Sequence, residues 1–144
     1  MTALFSTRQG QITGYAQVVL ERGLDTGALT YAVPEVMADL EVGQRVMVPL
    51  GRANKPVAGY VTERLANTDL DEQKIKTILK HDPLLRVGLS LDLMELARWM
   101  AGYYCCPLGM VFAAMLPAAV KRGTGHVVRL WVGLSSRGEE VLAA

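Results

Sequence analysis

Residues 43–62, GQRVMVPLGRANKPVAGYVT, set two strand-like runs on either side of a turn-forming stretch. Val46, Val48 and Leu50 alternate with Arg45, Met47 and Pro49; Val57, Gly59 and Val61 alternate with Ala58, Tyr60 and Thr62. That period of two is the pattern of a strand with one buried and one open face. Between the runs, Gly51-Arg52-Ala53-Asn54-Lys55-Pro56 supplies a flexible bend with two cations at its tip. The pattern predicts a β-hairpin whose loop presents charge to a ligand. Pro49 lacks an N–H and lies near the end of its run, so that strand end is expected at a sheet edge.

The remaining chain extends this β-rich start. Residues 1–13 are polar and unpatterned, which suggests a loose arm. Residues 14–20, GYAQVVL, and 29–33, LTYAV, read as strands, the second stopped by Pro34. Residues 34–40 have room for one helical turn. Residues 74–80, KIKTILK, alternate again and predict one further strand with lysines gathered largely on one side. After Pro83 the texture changes. Ser90 is a good N-cap, and Leu93, Leu96, Ala97, Met100, Ala101 and Tyr104 recur at helical spacing over 91–104. Pro107 and Gly109 punctuate that helix, and 108–116 predicts a second, mostly apolar one ended by Pro117. Trp99, Met100, Tyr103, Tyr104 and Phe112 are expected to pack the helices on the sheet. Residues 118–126 read as a basic connector and 126–134 as one more strand. The expected class is α+β: a small antiparallel β-barrel or curled sheet of five to six strands, then two packed helices.

Composition narrows function by exclusion. With 51% hydrophobic and 20% charged residues the chain is a folding one, and its 144 residues suit one domain or a domain and a piece of another. A net charge of +1 gives no overall field for nucleic acid, so such binding needs a local patch. The cysteines, Cys105 and Cys106, are adjacent, a spacing unsuited to bridging each other or to binding zinc. A reduced, cytoplasmic setting is expected, with no membrane partner, because no long unbroken apolar run occurs. No phosphate-cradling glycine motif is present, and His81 and His126 stand far apart without a ligand cluster. Asp69, Asp71 and Glu72 read as a solvated turn. No catalytic constellation, metal site or cofactor is expected.

Arg52, Lys55, Lys76 and Lys80 form the one suggestive set. If the 74–80 strand lies beside the hairpin, Lys76 approaches Gly51, whose backbone a ligand can reach closely. The spacing alone fits a plain solvent face better than a pocket.

Five segments in order carry a resemblance: TYAVPE (30–35), VGQRVMVPLGR (42–52), VAGYV (57–61), KIKTIL (74–79) and LARWMAGYYCCPLGMVFAAMLP (96–117). Together they resemble the N-terminal region of the bacterial replication-restart helicases of the PriA family, also called primosomal protein N-prime. The resemblance implies a 3′ DNA-binding domain over 14–117 that captures the 3′ end of a nascent leading strand. It implies a pocket at Leu29, Thr30, Gly51 and Lys76, with Tyr31 beside them; Arg52, next to Gly51, is expected to add salt-dependent attraction to the DNA backbone. Gly51 and Lys76 match the family's pocket, whereas Leu29 replaces its usual aromatic residue and Thr30 its usual acid. Residues 118–144 resemble a connector and the opening of the family's winged-helix domain. The helicase lobes have no counterpart here, so the chain reads as a fragment or a short relative, expected neither to hydrolyse ATP nor to unwind DNA. The implied partners are forked or branched DNA with a 3′ end, helicase domains and other primosome proteins. The competing expectation is a protein–protein docking module within a replication or repair assembly.

Overall fold

A computed structural model describes residues 11–23, 27–82, 88–117 and Lys121. Its order is β1 (Ile12–Leu20), β2 (Leu29–Pro34), a 3-10 turn (Glu35–Met37), β3 (Arg45–Leu50), β4 (Lys55–Leu65), a second 3-10 turn (Glu72–Lys74), β5 (Lys76–Thr77), β6 (Lys80–His81), α1 (Leu91–Tyr103) and α2 (Leu108–Met115). The architecture is the expected α+β one. The strand predicted for 126–134, the 118–126 connector apart from Lys121, and most of the N-terminal arm lie outside the described residues.

The hairpin forms as its alternation requires: β3 and β4 pair antiparallel from Arg45↔Tyr60 to Leu50↔Lys55. β4 then runs on to pair with β1, which pairs in turn with β2, giving the sheet order β5-β2-β1-β4-β3-β6. In the β1–β4 ladder Gln17 faces Glu63 while Val18 faces Val61, so Thr62 is an extra residue on β4. Its hydroxyl donates to Gln17 O at 3.2 Å. A bulge of this kind bends the strand and steepens its twist, which curls the sheet.

The predicted strand over 74–80 is not one strand. It breaks into β5, parallel to β2 through Tyr31↔Lys76, and β6, antiparallel to β3 through Val46↔His81. Between them Ile78 N–H donates to Ala32 O at 3.0 Å and Leu79 N–H to Met47 O at 2.9 Å. One short segment thus bridges the two edges of the curled sheet, and the edges protect one another. Pro49 sits on β3, whose outer neighbour is only the two-residue β6.

Two cores follow from the sheet's two faces. Val18 and Leu20 of β1 point inside with Val33, Val46, Val48, Val61 and Ile78. Val19 and Tyr60 point the other way, against Met94 and Ala97 of α1 and Val111 and Phe112 of α2. Each fully buried side chain of this size contributes roughly 1.5–3 kcal/mol, so this second layer is what holds the helices down. Phe112 lies 5.0 Å from Tyr60, ring centre to ring centre.

Ser90 caps α1 by accepting from Leu93 N–H at 3.4 Å. At the other end Cys105 adopts φ 49°, with its N–H on Gly102 O and Cys106 N–H on Ala101 O. That is the left-handed helix stop usually given to glycine, and it turns the chain into α2. Cys105 and Cys106 are both free.

The inward face of α1 is only partly the expected one: Ala97, Met100 and Ala101 do face the core. Met94 and Ala97 are its buried residues, while Leu93 and Leu96 are exposed. Trp99 and Tyr103 are 59% and 68% exposed and Tyr104 is exposed too, so of the five expected packing residues only Phe112 is fully buried and Met100 partly so. No helix among the described residues is long and apolar enough to cross a membrane.

Candidate nucleic-acid interface

A cleft of about 440 Å³ opens where β2, the β3–β4 turn and β5 converge. Leu29, Thr30 and Tyr31 line it from β2, Gly51 from the turn and Lys76 from β5. Five of the six residues singled out in the sequence therefore share one cleft. Arg52, next to Gly51, is exposed and is not among the lining residues.

The parallel bridge between Tyr31 and Lys76 fixes the depth at which the lysine leaves the sheet. Tyr31 itself is 4% exposed, its hydroxyl donating to Pro49 O at 3.3 Å. Burial pushes its phenol above the usual range. Tyr31 is a wall that positions β2 and β5; its ring is not open for stacking. Leu29 and Thr30 are half-buried and offer the cleft a methyl-rich surface and a hydroxyl.

Gly51 and Lys76 meet directly. Lys76 Nζ donates to Gly51 O at 2.5 Å and to Asn54 Oδ1 at 2.7 Å. Gly51 has φ 67°, a left-handed conformation that favours glycine, and a Cβ there would point into open space. Its carbonyl also accepts from Asn54 N–H at 3.2 Å, which closes the four-residue turn. Glycine therefore serves here to make the turn.

The opposite wall was not anticipated. Asp69, Leu70, Asp71 and Ile75 line it, together with Lys74. Asp71 Oδ1 accepts from Gln73 N–H at 3.1 Å, and its other oxygen lies 3.6 Å from Lys74 Nζ. Both partners of that ion pair are largely in solvent, so the pair is worth little. Glu72 points away and accepts from the Tyr15 hydroxyl at 3.1 Å. Burial, then the bond and charge of Glu72, push that phenol above its usual range. Two of the three acids read as a solvated turn thus face the cleft. Local sequence shows an acidic loop but not that the chain folds it over β2.

A second, apolar cleft of about 270 Å³ lies between α1 and α2, lined by Met100, Met110, Met115 and Cys106 among others. It carries no charged group. Among the described residues no three His, Cys, Asp or Glu side chains come together as a metal site.

The family described as the 3′ DNA-binding domain (3′BD) of PriA matches residues 17–117, from the second half of β1 through α2. This chain belongs to the PriA 3′ DNA-binding domain family. It is similar to the replication restart protein PriA of Rickettsia conorii, 36% identical over 89 residues, which is 62% of this chain and 13% of that protein. It is also similar to the replication restart protein PriA of Chlamydia trachomatis, 31% identical over an alignment covering 89% of this chain and 18% of the relative. The chain thus spans less than a fifth of the length of these relatives. The family is defined by DNA binding, and the cleft at β2, β5 and the β3–β4 turn lies within the matched span.

Proposed function

We propose that this chain is a DNA-binding module acting in replication restart, and that the β2–β5 cleft receives a 3′ end of branched DNA. The observation that carries this reading is the meeting of Lys76, Gly51 and the Leu29–Thr30 strand end in one cleft, within the residues that match the family. A terminal nucleotide has an apolar base, a phosphodiester and a free hydroxyl. Leu29, Leu70 and Ile75 give the base an apolar wall, Lys76 gives the phosphodiester a cation, and Thr30 gives the hydroxyl a partner. Asp69 and Asp71 favour a neutral hydroxyl at the end over a terminal phosphate, since like charges at close range repel. Arg52 acts from outside the cleft by salt-dependent attraction to the backbone. The module works by binding in the cytoplasm, over 14–117, with ATP hydrolysis and unwinding left to other parts of a PriA-type protein.

Lys76→Ala is expected to weaken binding to a fork with a recessed 3′-OH by ~1–3 kcal/mol, the scale of a charge-assisted hydrogen bond. Fluorescence anisotropy with two matched forks, one ending in a 3′-OH and one in a 3′-phosphate, is the measurement. Wild-type protein that binds both forks alike, with Lys76→Ala no weaker, would refute end capture.

A second reading has its own observation. Trp99 and Tyr103 stack in the open with ring centres 5.0 Å apart, on the α1 face that also carries Asp92, Glu95 and Leu96. The two acids disfavour a phosphate backbone there, so the face suits a protein surface with apolar and basic side chains, and the occupant proposed is the helicase portion of a PriA-type protein. In a Trp131→Phe background Trp99 is the sole tryptophan. Its emission is expected to shift on adding the part of the Rickettsia conorii relative that this chain does not cover and to stay unchanged with forked DNA. The reverse pattern would dispose of docking.

A further inference from the structure

We propose that Asn54 is a positioning residue for the cleft: its side-chain oxygen holds the Lys76 ammonium so that the remaining N–H of Lys76 faces the bound DNA. The inference deepens the 3′-end reading and rests on it. Lysine's ammonium has three donors and no acceptor. Two of these donors are taken, by Gly51 O at 2.5 Å and Asn54 Oδ1 at 2.7 Å, and the third has no partner among the described residues. An unrestrained lysine carries a flexible four-carbon stem and spreads its charge over many rotamers. Held by two acceptors from one turn, the charge stays at the cleft mouth before any ligand arrives, and less ordering remains to be done on binding.

The residue type at position 54 supports a role beyond the turn. Asn54 has φ 49°, where glycine would be less strained. Asparagine is among the few other residues that tolerate this conformation, and it alone of the two brings an amide oxygen. Because Lys76 can only donate, the amide must present its oxygen and not its nitrogen. The same residue closes the turn through its own N–H to Gly51 O, at 3.2 Å. Gly51 O therefore receives both the turn amide and the ammonium, and the three residues form one unit, though Asn54 and Lys76 are far apart in sequence.

The test uses the 144-residue chain, anisotropy with a fork bearing a recessed 3′-OH, and three variants: Asn54→Gly, Lys76→Ala and the double. Asn54→Gly keeps the left-handed turn and removes only the acceptor, so its thermal midpoint should stay at or above that of wild type. Its affinity is expected to fall about two- to tenfold, the effect of one lost acceptor bond. The double variant is expected to bind like Lys76→Ala alone, because Asn54 has nothing to hold once the ammonium is gone. A merely structural role would instead make the two losses multiply, which overturns the inference. So does Asn54→Gly binding like wild type while Lys76→Ala is weakened, a result that leaves the cleft reading intact. If Lys76→Ala itself binds like wild type, the cleft reading falls and Asn54 falls with it.

Discussion

Gly109→Ala is expected to destabilise the protein by about 3 kcal/mol, the upper end of the cost of forcing atoms into a packed site. The sign is the informative part. Glycine within a helix is ordinarily a weak point, and alanine there usually adds ~0.5–1 kcal/mol. Gly109 is an exception because α2 meets the end of β1 backbone to backbone: an added Cβ would stand 1.9 Å from Leu20 O and 2.6 Å from Arg22 O. Leu20 O belongs to a paired strand and cannot swing aside as a side-chain tip can, so the helix must move. Moving it loosens Phe112 from Tyr60. Gly102 in α1 is the matched control, with nothing within 4 Å of its added Cβ, and Gly102→Ala should stabilise by roughly 0.5 kcal/mol. Urea unfolding of the two variants beside wild type checks both signs. Because α2 rests on the outer face of the sheet and the cleft lies at β2, β5 and the β3–β4 turn, the folded fraction of Gly109→Ala should keep its affinity for a 3′ end. Wild-type stability in Gly109→Ala would show that α2 is not seated this closely.

The contrast between what local sequence showed and what it hid has a physical pattern. The hairpin was legible because alternation over six residues records which side of a strand is buried, and β3 and β4 pair as that alternation demands. Helix α1 was legible as a helix and only partly in its orientation, since Ala97, Met100 and Ala101 do face the core. Leu93 and Leu96 satisfy helical spacing as well as Met94 does, and a helix whose apolar residues spread beyond one stripe does not declare which of them meet the sheet. Residues 74–80 alternate like one strand, yet the segment pairs through only two residues at each end, 76–77 with β2 and 80–81 with β3. Periodicity reports a strand-like backbone and is silent about the neighbour. The same limit governs the cleft. Its β2 members entered through resemblance, and Gly51 and Lys76 through spacing as well, whereas Asp69 and Asp71 line it, and Asn54 bonds its lysine, through contacts made only when distant turns converge. A lysine on an alternating strand looks like solvent-facing charge until the acceptors that hold it are known.

Arg45→Ala is expected to cost about 3–5 kcal/mol at neutral pH, the range for breaking a buried ion pair by removing one partner. Arg45 lies on β3 and clamps two loops to it. Its Nε and one terminal nitrogen reach the two oxygens of Glu21 at 3.0 and 2.9 Å, and its other terminal nitrogen bonds Asp82. The Arg45 and Glu21 side chains are 11% and 12% exposed, so water compensates little for losing the guanidinium. Lys121, 3.3 Å from Glu21 and bonded to Ala113 O at the end of α2, extends the cluster to the helices. The pH dependence distinguishes this from lost packing. Burial by itself would raise the Glu21 carboxyl, but the bonds and charge of Arg45, then those of Lys121, outweigh it and hold the carboxyl below its ordinary value of 4.5. A carboxyl lowered on folding contributes stability that is full above that ordinary value and is lost as pH falls through the folded one. Without Arg45 the burial effect is opposed only by Lys121, the lowering shrinks or reverses, and the variant loses less stability in acid. The gap between wild type and Arg45→Ala should therefore narrow as the pH drops below about 4.5, read from urea unfolding across a pH series. A gap of constant size down to the acid transition would mean that the arginine stabilises through its packed stem alone.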